Sequence, residues 1–285
     1  MRTDLLKRIL AVPTCSRREH RMVEFLLQHV RERGAERCGV ATVDRWNNVL
    51  IVKGSGGDVP CAGAHIDTIQ GWDEIEIVEQ DGLLLGFDGQ GNRRGTGGDD
   101  KYGVAVCLEL LERFQHIVVA LFAREEIGYV GAQNADAGFF GRVGYALEFD
   151  APATGLISYS AGGLRLFENA GQFIQTAMPV LRRFGFTHFQ SHPFTDLTGH
   201  RRRFTFSCIN ASCGYHDWHR DDEYVSVAEV ETTIEMATEL IAALGNRRYD
   251  FDASKPDTAK PPVEVTGLAL PVMSKQPKKT LCTRS

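Results

Sequence analysis

The chain has 285 residues, 43% of them hydrophobic and 24% charged, with a net charge of −5 and a pI near 6.0. These values describe an ordinary globular chain; they leave no basic footprint for nucleic acid, and no apolar run approaches the ~20 residues that span a bilayer. Seven scattered cysteines without a CxxC pair argue against a disulfide framework or a thiolate zinc site, and for free thiols in a reducing compartment. With no signal-peptide pattern after Met1, the expected location is the cytoplasm.

In chain order, residues 4–12 read as a short helix stopped by Pro13. Ser16 and Glu19 have capping-box spacing before a second helix, on which Met22, Val23, Leu26, Leu27 and Val30 recur every three or four residues until Gly34. Residues 40–53 read as a strand pair turning at Trp46-Asn47-Asn48. Residues 59–64 form a short buried strand running into His65-Ile66-Asp67, and 74–87 a hairpin turning at Asp81-Gly82. A glycine-rich loop, 86–98, opens a helix near Gly103, and residues 117–123 form an apolar, β-branched strand ending at Glu125-Glu126.

A further strand, 145–149, ends at Asp150. Residues 155–167 read as two short strands or as one strand with a glycine kink, 173–184 as a helix and 203–209 as a strand. Residues 210–227 are irregular. Ser226 and Glu229 form a second capping-box pattern before a helix with Val230, Ile234, Ala237, Ile241 and Leu244 on one stripe, closed by Gly245. Residues 253–285 hold five of the ten prolines and show no periodicity, and read as a disordered tail. Strands alternating with helices predict an α/β fold: a three-layer α/β/α sandwich with a mixed, mostly parallel sheet, in one domain over 1–252.

Ligands collect at the carboxyl ends of parallel strands, and His65, Glu125-Glu126 and Asp150 each directly follow an apolar run. Adjacent carboxylates such as Asp99-Asp100 and Glu125-Glu126 repel, and burying them needs a compensating cation. Five candidate ligands emerge: His65, Asp99, Glu126, Asp150 and His219. Imidazole with carboxylate suits zinc, with manganese or cobalt as substitutes. Five groups with one shared can hold two ions, and Asp99 is the candidate bridge at a separation of roughly 3.5–4 Å. Asp67, two residues past His65, suits a carboxylate that fixes the imidazole tautomer. Glu125, without a ligand role, suits a general base.

His65-Ile66-Asp67, Gly98-Asp99-Asp100-Lys101, Glu125-Glu126-Ile127-Gly128, Leu147-Glu148-Phe149-Asp150, and Gly214-Tyr215 followed by His219 and Glu223-Tyr224-Val225 stand in that order over residues 5–245. Together they resemble the ordered motifs of the co-catalytic zinc exopeptidases, the superfamily of peptidase T, carboxypeptidase G, the acylamino-acid deacylases and the bacterial leucyl aminopeptidases. The resemblance implies that His65 and Asp150 bind one metal, Glu126 and His219 the other, and that Asp99 bridges them. It also implies that Asp67 orients His65, that Glu125 is the base, and that the Asp99–Asp100 peptide bond is cis. His219 is selected over His216 because the family ligand directly precedes the Glu-Tyr-Val segment. Lidded relatives insert a lid or dimerisation domain before that last ligand. Here the stretch between Asp150 and His219 is too short for one, so the chain reads as a lidless member. Oxyanion help from a lid histidine would then fall to Tyr215, His216, His192 or the metals alone.

The implied activity is hydrolysis of an amide bond in a small peptide or amino-acid amide by an aminopeptidase-like exopeptidase. An N-acyl amino-acid deacylase using the same site is the alternative. A catalytically dead binding module is a third reading, opposed by the presence of both Glu125 and Asp99. The oligomeric state is open. Arg201-Arg202-Arg203 reads as a solvated strand start more readily than as a substrate clamp. His20, His29, His116, His188 and His200 read as structural or exposed, and Cys208 and Cys213 as core thiols.

Overall fold

The computed structural model describes residues 3–252; the expected tail, 253–285, lies outside them. The chain opens with α1 (Thr3–Ala11) and α2 (His20–Arg33), whose buried Leu6, Ile9, Leu10 and Met22, Leu26, Val30 repeat at helical spacing. α2 ends at Gly34, where φ is 81°, a left-handed conformation that glycine adopts without penalty. The Ser16–Glu19 capping box does not form. Glu19 Oε1 accepts from Arg17 N at 2.7 Å, while Ser16 Oγ donates to Asp67 Oδ2 at 2.5 Å. A long-range acceptor has therefore taken the local cap.

The order continues with α3 (Ala35–Cys38), β1 (Val40–Val43), β2 (Val49–Lys53), β3 (Val59–His65), β4 (Glu76–Gln80), β5 (Leu83–Phe87), β6 (Arg93–Arg94), α4 (Gly98–Arg113) and β7 (Ile117–Phe122). Then come α5 (Val130–Asn134), α6 (Ala137–Phe140), β8 (Val143–Ala151), β9 (Leu156–Ala161), β10 (Leu164–Arg165), α7 (Gln172–Arg183), β11 (His188–His192) and α8 (Asp196–Arg201). The last elements are β12 (Cys208–Ser212), β13 (Tyr215–His216), β14 (Tyr224–Ser226) and α9 (Val227–Leu244). The predicted hairpin turns at Asp81 (φ 53°) and Gly82 (φ 77°). Ser226 caps α9, its side chain accepting from Glu229 N.

One strand reading is corrected. The strand expected over 203–209 begins only at Cys208. Residues 203–205 instead leave α8: Arg203 N and Phe204 N donate to the His200 carbonyl. The stretch before it holds β11 and α8, which carry too few residues for a periodic signal.

The larger sheet has the order β1-β2-β7-β3-β8-β12-β9-β10, with β11 on β9. Its centre, β7-β3-β8-β12, is parallel, and antiparallel pairings flank it. β3, β7 and β8 are buried along their whole length, as expected of strands covered on both faces. The β3–α4–β7 and β7–α5–α6–β8 connections leave in opposite directions along the sheet. With right-handed crossovers, that places α4 and α5–α6 on opposite faces. α4 packs on β3, β7 and β8 with α1 and α9 over it, and α5 packs against α8. The predicted α/β sandwich with a mixed sheet is the fold observed. The reversal of direction occurs at β3, so its carboxyl end, at His65, is the switch point where such sheets open a crevice. A smaller sheet, β13-β14-β5-β4 with β6 on β5, flanks it.

Candidate metal centre

Each of the five predicted ligands reaches this crevice from a different part of the fold. His65 is the last residue of β3, and Asp99 and Asp100 open α4. The Asp99–Asp100 peptide bond is cis, as the resemblance implied. Glu125 and Glu126 follow β7, Asp150 lies near the end of β8, and His219 lies between β13 and β14. Arg124 (φ 62°) and His219 (φ 64°) take left-handed backbone conformations. Side chains with a Cβ persist there only where the surroundings enforce it.

The carboxylate of Asp99 lies between two imidazoles. Its Oδ1 is 3.1 Å from His65 Nε2, and its Oδ2 is 2.9 Å from His219 Nε2. His65 Nε2 is also 3.9 Å from Asp150 Oδ1 and 4.0 Å from Glu125 Oε2, and His219 Nε2 is 3.0 Å from Glu126 Oε1. Two groups of potential ligand atoms follow, each within 4.8 Å: His65, Asp99 and Asp150, and Asp99, Glu126 and His219. Asp99 belongs to both. His65, Glu125 and Glu126 form a third group at the same limit.

The protonation pattern calls for a cation. His65 Nδ1 is 2.8 Å from the Asp67 carbonyl, which can only accept, so Nδ1 carries a proton. In the neutral ring, Nε2 then points a lone pair at the Asp99 carboxylate, and two acceptors face each other. A proton or a metal ion must lie between them, and this tautomer is the one a metal-binding histidine uses. Burial opposes charging of His219, but its contacts with Asp99 and Glu126 outweigh burial and lift its pKa to about 10. Burial also pushes the Glu125 and Asp150 carboxyls well above their ordinary range, with neighbouring carboxylates adding to the effect. Glu126 Oε2 and His219 Nδ1 are buried without hydrogen-bond partners among the described residues. Four buried ligand-type groups and the half-buried His219 fit a pair of divalent cations.

One expected contact is made differently. The carboxylate of Asp67 stands 3.7 Å from His65 Nδ1, and the backbone carbonyl of Asp67 is the group within hydrogen-bond distance of the ring. The carboxylate turns instead to the loop after β7: Oδ1 accepts from Glu125 N at 2.9 Å and Oδ2 from Glu126 N at 3.4 Å.

Four supporting residues were given no part in the site by the sequence. Asn48 is wholly buried and staples both ends of the glutamate loop, with Oδ1 accepting from Ala123 N at 3.0 Å and Nδ2 donating to the Gly131 carbonyl at 3.0 Å. Glu223 accepts from Gly97 N at 2.8 Å and Asp99 N at 3.1 Å, holding the approach to the bridge. Asn210 clamps Asp150 by accepting from its N–H and donating to its carbonyl. Ser16 holds Asp67 as described. Glu223 was visible as a motif flank. The others gave no local signal for these roles, because the partners named here lie at least fifty residues away; Asn48 Nδ2 also donates to Asp44 Oδ2 at 2.7 Å.

Of the three oxyanion candidates, Tyr215 is at the site, its hydroxyl donating to Asp150 Oδ1 at 3.2 Å. His216 is drawn off to Glu229 at 2.8 Å and stacks on Tyr224. His192 Nδ1 donates to the Phe194 carbonyl at 2.8 Å, and burial lowers its pKa to about 4. Its Nε2 is then an acceptor, unsuited to an oxyanion. The arginine run does not open a strand: Arg201 ends α8, and Arg202 and Arg203 are exposed just beyond it. Arg201 donates to the Phe204 carbonyl and Arg203 to those of Ala132 and Ala135.

No protein-family model matches the sequence, and no curated protein matches it. Solved structures do. Aminopeptidase PepT from Bacillus cereus superposes with a TM-score of 0.70 at 15% identity, over 85% of this chain and 97% of that one. A tripeptidase from Staphylococcus aureus gives 0.71 at 13%, over 85% and 98%. A Thermotoga maritima protein described as an endoglucanase gives 0.57 at 13%, over 85% and 97%. At these identities the shared property is the fold. No helix among the described residues is long and apolar enough to cross a membrane.

Proposed function

We propose that the chain is a metal-dependent hydrolase of amide bonds, an aminopeptidase-like exopeptidase of the co-catalytic zinc kind, with its catalytic domain in residues 1–252 and no inserted lid. The observation that carries this reading is the pair of ligand groups sharing Asp99. His65 and Asp150 would hold one divalent ion, Glu126 and His219 the other, and Asp99 both. Zinc suits these donors, with manganese or cobalt as substitutes. Two such ions would supply an acidified water and a positive charge against the scissile carbonyl.

The chain's own residues supply the rest. Glu125 is buried at 3% exposure, with its Oε2 4.0 Å from His65 Nε2, and is left out of both proposed ligand sets. Its carboxylate takes the proton from the attacking water and returns it to the leaving amine. Asp67 fixes Glu125 through the backbone, and Tyr215 and Asn210 fix Asp150. Glycoside cleavage fits less well, since it needs two carboxyls free to flank the bond, whereas Asp99 and Glu126 here face imidazoles.

An N-acyl amino-acid deacylase would use the same groups. Zinc- or cobalt-loaded protein should be assayed with unblocked dipeptides and amino-acid amides, their N-acetylated forms, and cello-oligosaccharides. Cleavage of the unblocked substrates is expected. Cleavage confined to N-acetylated substrates would shift the assignment to a deacylase, and turnover of carbohydrate alone would overturn it.

A further inference from the structure

Away from this centre, the fold brings together three side chains with no ligand spacing in the sequence. An imidazole nitrogen of His29, the thiol of Cys38 and a carboxylate oxygen of Glu112 lie within 4.8 Å of one another. They come from three elements: α2, the end of α3 and the last turn of α4. His29 is 5% exposed and Cys38 wholly buried. Cys38 is a free thiol, and His29 Nε2 is buried with no hydrogen-bond partner among the described residues. A buried imidazole nitrogen left unpartnered in a native fold calls for a ligand or an ion to satisfy it.

The neighbouring cations leave room for one. Arg33 pairs with Glu112 Oε1 at 2.7 Å, which leaves Oε2. Lys53 Nζ donates to the Leu111 carbonyl at 2.8 Å. A thiolate and a carboxylate would balance a divalent charge, with the imidazole as neutral third donor. Thiolate with imidazole selects zinc-class ions over magnesium or calcium.

We propose that His29, Cys38 and Glu112 form a separate site for a zinc-class divalent ion, with a fourth position open to water. Binding breaks the Cys38 S–H bond, forms a metal–sulfur bond and releases one proton to solvent. The site would tie α2 and α3 to the far end of α4, roughly 18 Å of helix from Asp100. It is therefore separate from the crevice, and the proposal stands whether or not the hydrolase reading does.

Cobalt(II) separates the two centres, because only this one contains sulfur. Full-length chain should be stripped with chelator and titrated with cobalt chloride. A thiolate-to-cobalt charge-transfer band with the intensity of one cobalt–thiolate centre per chain is expected. Cys38→Ser should abolish the band, and His29→Gln should weaken cobalt binding at least about tenfold. Asp99→Ala, which disrupts the other centre, should leave the band in place. Cobalt should also raise the melting temperature of the Asp99→Ala chain but not of the same chain carrying Cys38→Ser. No charge-transfer band in folded wild-type chain, or a band that survives Cys38→Ser, would overturn the proposal.

Discussion

The carboxylate of Asp67 reaches across from the end of β3 to accept the backbone N–H of Glu125 at 2.9 Å. The two residues are 58 positions apart, and the bond fixes the proposed base relative to the proposed ligand His65. Asp67→Ala should leave that imidazole its carbonyl partner but free the glutamate loop. The expected result is a fall in kcat of about 10–100-fold with a smaller change in KM, measured on metal-loaded protein. A rise in KM at unchanged kcat would place Asp67 in substrate binding instead.

Glu125→Gln keeps the size of the side chain and removes its ability to take a proton. Turnover should fall by about 10²–10⁴-fold, while metal content stays near that of wild type. Normal activity in this variant would remove Glu125 from the role of base.

Asn48 offers a test of the scaffold. Its amide bridges Ala123 N and the Gly131 carbonyl, and a Cβ added at Gly131 would lie 2.3 Å from Asn48 Oδ1. Asn48→Ala strands buried polar groups, so a loss of about 1–3 kcal/mol in stability is expected. Asn48→Asp keeps the acceptor toward Ala123 but turns an oxygen on the Asp44 carboxylate, 2.7 Å away, and on the Gly131 carbonyl, so it should be no more stable or active than Asn48→Ala. Denaturant melts and steady-state kinetics on both variants check this, and clear recovery in Asn48→Asp would contradict it.

Without metal, the pH dependence of stability should run against the usual acid denaturation. Burial raises the pKa of Glu148 and of Glu223 to about 7, and that of Glu125, Asp100 and Asp150 well above their ordinary range. Groups with raised pKa keep protons in the folded chain that the unfolded chain has already lost. Their stabilisation is full below the unfolded value and drains away as pH rises through the folded one. His29, His192 and His200 are lowered by burial, the last two to about 4 and about 3, and oppose this, but they are fewer. Chelator-treated protein should therefore lose melting temperature between about pH 5 and pH 7, and added zinc should restore it. A melting temperature that climbs over this range without metal would contradict the electrostatic account.

The site was legible where local pattern and chemistry coincide. Apolar runs ending in His65, Glu125-Glu126 and Asp150 mark strand ends, and parallel topology brings strand ends together. Elements with clean periodicity, such as α2, the β4–β5 hairpin and α9, lie where the sequence places them. What escaped depends on distant partners. Ser16 has the spacing of a helix cap, yet Asp67, from the other side of the crevice, takes its hydroxyl. Asn48 reads as a turn residue and serves as a staple. Arg203 reads as a strand start, but the carbonyls at the end of α5 hold it in the turn after α8. His29, Cys38 and Glu112 share no spacing, because helix packing alone brings them together.

The central claim is that five side chains hold two ions with Asp99 between them. Anomalous diffraction at the zinc edge, on crystals grown with zinc, tests it most directly. The account predicts two peaks roughly 3.5–4 Å apart, one beside His65 and Asp150 and the other beside Glu126 and His219. A single peak at this site, or none, would contradict it.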